Sequence, residues 1–381
     1  MFLKKFISFL LIFSSFTFLH FNKVFADGEI EVLAPSAILM EESTGKVLFE
    51  KNSHEKRSCA SITKIMTMIL VIEAIDARKI SLSDMVTASE HAASMGGSDI
   101  WLETGEAMTV DELIRALLVA SANDAAVALA EYVCGSEENF VFKMNEKAKQ
   151  LSMNDTFFKN CNGLDEEGHF SSAYDIAIMS RELMKHKEIF DYTSIWIDYL
   201  RDGKTQLVNT NKLLKSYKGI TGLKTGTTSV AGCCISATAK RENLSLIAVV
   251  LGDKTGKDRF KDAADLLDLG FSNYIMLTPL FDGKILTPIK VNNGMKNSVS
   301  IKLNNISNIL VKKGEEKSLK NFLELAEECE APIREGKILG YVTYKSGEDE
   351  IAKFPVVSGE SIERISFSLV FKELLKSLFA I

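Results

Sequence analysis

Ala60-Ser61-Ile62-Thr63-Lys64 opens an apolar run that continues to Ala77, and this stretch decides the fold of the chain. The run is apolar on most faces, which predicts a helix buried at the centre of a domain. Ser61 and Lys64 stand at i and i+3 at its start, so their side chains lie on one face. A serine hydroxyl needs a neighbouring base to become a nucleophile, and a desolvated lysine can serve. We therefore predict Ser61 as the nucleophile and Lys64 as its general base.

A second motif, Ser121-Ala122-Asn123, is predicted to lie in a tight joint between two helices. A capping-box pattern at Thr109 opens the first helix, and the second is alanine-rich and ends near Gly135. From this joint, Asn123 is predicted to hydrogen-bond either Lys64 or an amide of the substrate.

A third motif, Lys224-Thr225-Gly226, precedes two apolar runs, residues 233–239 and 244–251. These runs predict a hairpin that can sit in the middle of a sheet. A second Lys-Thr-Gly, at Lys254, lies beyond the far end of that hairpin in a charged loop. Only the first Lys-Thr-Gly is therefore a site candidate.

The two motif lysines are predicted to meet. Lys224 can approach Lys64 from the sheet, and a second cation nearby lowers the pKa of a lysine. Ser121 is then predicted to bridge the two lysines as a proton relay toward the leaving group.

The backbone of the motifs is predicted to hold the reacting peptide. Gly226 would let the strand edge approach a substrate closely, and an extended peptide can pair with such an edge. The backbone N–H groups of Ser61 and Thr227 are the predicted oxyanion hole.

Histidine and cysteine offer no competing site in this sequence. The histidines lie in polar or surface-like surroundings without the spacing of a Ser/His/Asp triad: His54, His91, His169 and His186. The six cysteines show no C-x-x-C or Cys/His spacing. They are predicted to be small core residues, and no metal or cofactor is expected.

Residues 1–26 have the pattern of a secretory signal peptide, with Lys4 and Lys5 before an apolar run and Ala26 at the cut. A membrane-spanning anchor is the alternative, but the run is shorter than the ~20 residues that a bilayer core needs. Removal of the three lysines in this segment takes the formal net charge from −6 to −9. So acidic a chain is not expected to bind nucleic acid.

The remaining chain is predicted to be an α+β protein in three parts. Residues 27–275 carry the three motifs. Short alternating stretches separated by polar turns predict a small, mostly β domain over residues 280–357. Residues 362–381 form the last part, a terminal amphipathic helix.

That terminal helix collects its apolar side chains on one face, at Phe367, Val370, Phe371, Leu374, Leu375 and Leu378. It is too short to span a bilayer but can lie in the interface. We expect it to attach the protein to a membrane surface. The alternative is a helix docked on its own protein.

The three motifs, in this order and spacing, resemble those of the penicillin-recognising serine enzymes. The surrounding text is similar to one branch, the low-molecular-mass penicillin-binding D-alanyl-D-alanine carboxypeptidases of the S11 type. It includes Gly96-Gly97-Ser98, Glu103-Thr104-Gly105-Glu106, Asn162-Gly163-Leu164-Asp165 and Gly222-Leu223-Lys224-Thr225-Gly226-Thr227. The resemblance implies a β-lactamase/transpeptidase-like antiparallel sheet flanked by helices.

The resemblance also implies a reaction and its ligands. Ser61 would be acylated by the penultimate D-alanine of a peptidoglycan pentapeptide stem, releasing the terminal D-alanine. Lys224, Thr225 and Thr227 would hold the terminal carboxylate with help from Arg259, unless Arg259 is merely an exposed cation at a helix start. β-Lactams would acylate the serine as inhibitors. The enzyme would work outside the cytoplasm, attached peripherally to the outer face of the cytoplasmic membrane.

Three other functions stay open on the sequence. A D,D-endopeptidase acting on cross-links uses the same groups on a longer substrate. A β-lactamase of the same fold is disfavoured, because no Glu-x-x-Leu-Asn occurs between Asn123 and Lys224. A non-catalytic cell-wall binding protein is disfavoured because a competent residue occupies every reactive position.

Overall fold

The structure is a computed structural model that describes residues 30–379, so the predicted signal peptide lies outside the described residues. The strands are β1 (Ser36–Glu41), β2 (Val47–Lys51), β3 (Met85–Thr87), β4 (Ala107–Thr109), β5 (Ile197–Leu200), β6 (Thr205–Val208), β7 (Ile220–Thr228), β8 (Gly232–Arg241), β9 (Leu244–Asp253), β10 (Tyr274–Leu277), β11 (Ile289–Asn292), β12 (Ser298–Val299), β13 (Ile301–Leu303), β14 (Ile309–Lys312), β15 (Leu319–Leu325), β16 (Glu328–Glu330), β17 (Ile338–Ser346) and β18 (Asp349–Ser358). The α-helices are α1 (Lys64–Asp76), α2 (Glu90–Ala93), α3 (Val110–Arg115), α4 (Asn123–Cys134), α5 (Glu137–Gln150), α6 (Ala173–Leu183), α7 (Ile189–Thr193), α8 (Leu213–Ser216), α9 (Gly256–Asn273) and α10 (Phe367–Phe379).

The main sheet is antiparallel and has the strand order β2-β1-β9-β8-β7. The predicted hairpin of β7 and the two following apolar runs is confirmed, and a further hairpin joins β1 to β2. In this order β1 lies beside β9, with Ser36 paired to Leu251 and Glu41 to Leu246, and β2 and β7 are the two outer strands. Strand β7, which carries the third motif, is therefore at the sheet edge.

Helices cover both faces of this sheet, which explains why β9 is buried along almost its whole length rather than at alternate residues. Its residues Ile247 and Val249 belong to the main core with helices α1, α4 and α6. The opposite face packs on α9, where Gly270 lies so close that an added Cβ would be 2.5 Å from Leu246 Cδ1. The predicted α+β architecture, an antiparallel sheet flanked by helices, is confirmed.

The predicted central helix begins with a 3-10 turn, Ala60–Thr63, and continues as α1. Ala60 has a left-handed φ of 49°, an unusual conformation for a non-glycine residue. Almost the whole of α1 is buried, including Lys64 at its first position.

The joint around the second motif is confirmed in detail. Thr109 and Glu112 form the predicted capping box at the start of α3. The helix then widens into a π-helical turn, Ala116–Ala120, and Ser121 follows with a left-handed φ of 65°. Such π turns and left-handed non-glycine residues are frequent at functional sites.

The C-terminal strands β10–β18 form smaller sheets with their own apolar clusters. One cluster includes Val299 and Ile333, and the other includes Val342 and Val356. Helix α10 follows these strands, and no helix within residues 30–379 is long and apolar enough to cross a membrane. The apolar side chains of α10 face outward, with Phe367 86% and Leu378 74% exposed.

Candidate active site

Ser61 and Lys64 meet at the start of α1, as their spacing predicts. Lys64 Nζ lies 3.0 Å from Ser61 Oγ and donates to Asn123 Oδ1 at 2.5 Å and to the backbone oxygen of Asn162 at 2.6 Å. The Lys64 side chain is fully buried. Three polar neighbours surround one amine, and one of them is the nucleophile's oxygen.

Burial lowers the pKa of Lys64 to about 7, because the surrounding protein cannot solvate the ammonium form. A neutral lysine amine has two N–H donors and one lone pair. Asn123 and Asn162 accept the two donors, so the lone pair is left for the Ser61 hydroxyl. This is the protonation state that a general base requires.

Lys224 reaches the same site from strand β7. Its Nζ donates to Ser121 Oγ at 2.8 Å and to the backbone oxygen of Thr225 at 3.0 Å. Burial lowers its pKa well below the ordinary lysine value, and the nearby cations Lys64 and Arg259 lower it further. A ligand carboxylate beside Lys224 would raise that pKa again.

Ser121 contacts one of the two lysines that it is predicted to bridge. It accepts a hydrogen bond from Lys224, but among the described residues no hydrogen bond joins it to Lys64. Ser121 has a left-handed backbone, and its Oγ contacts Lys224 of strand β7. The relay between both lysines stays a prediction.

Asn123 takes the first of its two predicted partners. Its Oδ1 accepts from Lys64, while its Nδ2 donates to the backbone oxygen of Gly96 at 2.7 Å. The backbone N–H of Asn123 also donates to the oxygen of Ser98 at 2.7 Å. The loop that contains Gly96 and Ser98 therefore fixes the amide that holds the base.

Gly226 allows a close approach, but to the nucleophile's own backbone. A Cβ at this position would lie 2.9 Å from the Cys59 oxygen and 2.9 Å from the Ser61 nitrogen. No larger residue fits without moving β7 away from the Ser61 turn. The glycine thus lets β7 pack directly on the turn that carries the Ser61 N–H, one residue before Thr227.

Arg259 is buried, so the alternative of an exposed cation at the start of a helix is wrong. Only 7% of the residue is exposed, since the first turn of α9 faces the sheet. Its Nη1 lies 3.0 Å from the Gly226 oxygen, 3.0 Å from Thr227 Oγ1 and 3.2 Å from the Cys234 oxygen. Its Nε is buried without a hydrogen-bond partner among the described residues. A guanidinium therefore supports the strand that carries the third motif.

Thr225 and Thr227 stand two residues apart on β7, so their side chains lie on the same face of the strand but have different partners. The Thr225 hydroxyl donates to Thr210 Oγ1 at 2.6 Å, whereas the Thr227 hydroxyl accepts from Arg259. Sequence reasoning did not find Thr210, because no motif marks it. It lies just beyond β6 and reaches the site only through the tertiary fold.

Residues 162–165 form a further wall of the site, and their roles were missed although the stretch was noticed. The backbone oxygen of Asn162 accepts a hydrogen bond from Lys64. Gly163 packs directly against the Ser61 turn, where an added Cβ would be 2.0 Å from the Ala60 oxygen. A backbone carbonyl has no sequence signature of its own. The only available signal was the Asn-Gly-Leu-Asp text itself.

His169 is buried, so the prediction that it lies in surface-like surroundings is wrong. Its Nε2 is 2.8 Å from Thr63 Oγ1, and burial lowers its pKa to about 4. It packs below the Ser61 turn without a hydrogen bond to Ser61 among the described residues. The polar neighbours Glu166 and Glu167 concealed this burial in the sequence.

Comparison with known proteins identifies this arrangement. The profile of the family described as D-alanyl-D-alanine carboxypeptidase matches residues 23–255. This chain belongs to that family. A second profile, described as the C-terminal domain of penicillin-binding protein 5, matches residues 274–364 of the carboxypeptidase.

Individual relatives agree with the family assignment of this carboxypeptidase. It is 46% identical over 344 residues to the D-alanyl-D-alanine carboxypeptidase DacF of Bacillus subtilis (strain 168), covering 89% of this chain and 88% of that protein. The crystal structure of penicillin-binding protein 5 from Haemophilus influenzae superimposes with a TM-score of 0.81 at 31% identity, covering 89% of this chain and all of the other. Penicillin-binding protein D2 from Listeria monocytogenes, in its ampicillin-bound form, matches with a TM-score of 0.59 at 33% identity over 64% of this chain and 100% of that one.

Proposed function

We propose that this carboxypeptidase removes the terminal D-alanine from the pentapeptide stem of peptidoglycan through an acyl-Ser61 intermediate. The observation that carries the proposal is the buried Lys64 amine, 3.0 Å from Ser61 Oγ with its pKa lowered to about 7. An amine in that state can take the serine proton at neutral pH.

Acylation begins when Ser61 Oγ attacks the carbonyl carbon of the penultimate D-alanine while its proton moves to Lys64 Nζ. The N–H groups of Ser61 and Thr227 would bind the resulting oxyanion, since Gly226 brings their backbones together. The C–N bond then breaks and the leaving nitrogen takes up a proton. In the proposed relay Ser121, hydrogen-bonded to Lys224, gives its hydroxyl proton to that nitrogen and regains one from Lys64, which is then neutral again for the next step.

The terminal carboxylate of the substrate would bind along the β7 edge. Lys224, Thr225 and Thr227 are assigned to it, and Arg259 orients this strand through the Gly226 oxygen and the Thr227 hydroxyl. The carboxylate would restore the positive charge of Lys224, because an opposite charge favours the ammonium form. When the terminal D-alanine leaves, its carboxylate no longer stabilises the ammonium form of Lys224, and water can then enter the site.

Deacylation repeats the first step with water as the nucleophile. Lys64 accepts a proton from the water, the ester carbon is attacked in the same oxyanion hole, and Ser61 leaves as its hydroxyl form. No metal is invoked, and no group of three or more His, Cys, Asp or Glu within residues 30–379 is placed to hold one. The chain's own residues supply every proton transfer.

Mass spectrometry of D-alanine release from a pentapeptide tests this function. Wild type should release one D-alanine per peptide, and Ser61→Ala should release none. Equal release by both proteins would contradict the mechanism. Splitting of cross-linked dimers into monomers without release of D-alanine from the pentapeptide would favour the D,D-endopeptidase, and absence of any cleavage with absence of labelling would favour the cell-wall binding protein.

Penicillins are proposed to acylate Ser61 and to form an acyl-enzyme that is hydrolysed slowly. The ampicillin-bound form of the Listeria relative supports this part of the proposal. Fluorescent penicillin should label wild type and not Ser61→Ala. Rapid hydrolysis of free penicillin, at many turnovers per second, would instead favour the β-lactamase.

We also propose that the protein is exported and held at the outer face of the cytoplasmic membrane by α10. The outward apolar face, with Phe371 52% and Leu374 57% exposed, supports the membrane over docking on the protein itself. Deletion from Ser366 should abolish co-sedimentation with anionic phospholipid vesicles and leave D-alanine release intact. Undiminished sedimentation would refute the anchor.

The three-part division into residues 27–275, 280–357 and 362–381 belongs to the same proposal. The main apolar cluster, which ends with β9, and the separate clusters that follow from β10 onward support it. Limited proteolysis should cut first near residues 276–288 and near residues 359–366. First cuts inside β7, β8 or β9 would contradict the division.

A further inference from the structure

Asp165 adds a hydrogen-bonded link between two walls of the active site, the Ser61 turn and the end of β7, which the motifs themselves join only through the packing of Gly226. Its Oδ1 accepts from Ser58 Oγ at 3.1 Å and from Thr228 Oγ1 at 2.8 Å. Ser58 lies three residues before Ser61, and Thr228 directly follows Thr227. One carboxylate oxygen therefore connects the nucleophile's turn to the end of β7.

The Thr228 end of this connection is rigid. The Thr228 hydroxyl donates to Asp165 and at the same time accepts from the backbone N–H of Ala231 at 3.0 Å. That second bond closes the turn between β7 and β8. The position of Asp165 thus determines where the last residues of β7 lie.

The Asp165 end is rigid too, because its loop is fixed on both sides. The Asn162 oxygen holds the Lys64 amine, and Gly163 packs on Ala60 with no room for a side chain. The Gly163 N–H donates to Asn160 Oδ1 at 2.8 Å. The loop therefore moves with the Ser61 turn, and Asp165 transmits that position to the strand.

We propose that Asp165 is a positioning residue that sets the width of the oxyanion hole, the gap between the N–H groups of Ser61 and Thr227. The proposal rests on the proposed function. Asp165 touches neither the substrate nor the reacting atoms, and acts through Ser58 and Thr228. Asp165 accepts both hydrogen bonds as a carboxylate, and hydrogen bonds to an ionised acceptor are stronger than those between neutral groups.

Two substitutions separate the hydrogen bonds of Asp165 from its charge. Asp165→Ala removes the acceptor, whereas Asp165→Asn keeps a carbonyl oxygen for both hydroxyls and removes only the charge. Since a displacement of about 1 Å in an active site costs roughly 100-fold, Asp165→Ala should lower the acylation rate constant about tenfold or more. Asp165→Asn should stay within about threefold of wild type.

The experiment measures acylation by fluorescent penicillin with the full chain, resolved into pre-acylation affinity and rate constant, together with thermal unfolding. Asp165→Ala should lower the rate constant, leave the affinity within about twofold and change the Tm by less than about 2 °C. Glu167→Ala, an exposed carboxylate two residues away, is the matched control and should change nothing.

A double-mutant cycle with Thr228→Val tests the connection itself. If Asp165 acts through Thr228, the double variant should acylate no more slowly than Asp165→Ala alone. A fall below threefold in Asp165→Ala, equal losses in Asp165→Ala and Asp165→Asn, or additive losses in the cycle would each overturn the proposal. Failure of wild type to label would instead refute the proposed function.

Discussion

Gly226→Ala is the substitution that most directly tests how the third motif meets the nucleophile. The added Cβ would lie 2.9 Å from the Cys59 oxygen, 2.9 Å from the Ser61 nitrogen and 3.0 Å from Ala60 Cβ. All three neighbours belong to the Ser61 turn, and two of them are backbone atoms. Nothing flexible can yield, so the strand or the turn must move.

The size of that movement gives the expected loss of activity. Comfortable contacts between non-bonded heavy atoms lie near 3.5 Å, so the strand must retreat by about half an ångström. If about 1 Å of misplacement costs roughly 100-fold, half of it costs about tenfold in acylation. The added methyl group should also destabilise the fold by about 1–3 kcal/mol through overpacking.

The chain supplies its own control in the second Lys-Thr-Gly. A Cβ at Gly256 would have only Arg259 Nη2 within reach, at 3.7 Å, which is an ordinary contact. Gly256→Ala lies in the first turn of α9 and should stabilise the protein slightly, by up to about 1 kcal/mol.

Acylation by fluorescent penicillin and thermal unfolding would be measured for both variants. The reasoning requires a lower acylation rate and a lower Tm for Gly226→Ala and neither for Gly256→Ala. An unchanged rate and Tm in Gly226→Ala would refute it. Equal losses in the two variants would show that the sequence Lys-Thr-Gly matters apart from its place in the fold.

Three other outcomes are expected. Acylation should fall about tenfold per pH unit below about 7, where Lys64 gains a proton, and a flat rate between pH 5 and 8 would contradict the assignment of the base. The pKa of Lys64 is lower in the folded than in the unfolded protein, so burying this lysine destabilises the fold fully below pH 7 and less as the pH rises toward 10.5. Chemical denaturation at several pH values should therefore show that wild type gains more stability over this range than Lys64→Met does. Arg259→Ala should raise KM for a pentapeptide about tenfold, since it leaves the Gly226 oxygen and the Thr227 hydroxyl without their donor, and a loss in kcat alone would point to another role.

The sequence predicts well what short stretches determine by themselves. The capping box at Thr109, the left-handed Gly135 after α4 and the β7–β9 hairpin all follow from local pattern, and the structure has them. The pairing of Ser61 with Lys64 is of this kind as well, because three residues of helix place both side chains on one face.

Contacts between distant segments are where sequence reasoning fails. The Asn162 oxygen on Lys64 is a backbone atom, and any residue type provides one. Arg259 and His169 stand among charged neighbours, so composition predicts exposure, yet the fold turns both inward. The reach of Ser121 depends on its left-handed φ, which a non-glycine residue seldom adopts and no propensity predicts.

The pairing of β1 with β9 also determines how much of the chain must be synthesised before the main sheet can form. Ser36 must find Leu251, so a contact of very high sequence separation closes the main sheet, and such contacts make folding slow. At about 5–20 residues per second, the first hairpin waits roughly 10–40 s for its partner strand to be made. During that time the apolar faces of the hairpin are uncovered and β7 is not yet available to pack on the Ser61 turn. A chain that ends before Asp253 therefore has neither a complete main sheet nor an assembled catalytic centre.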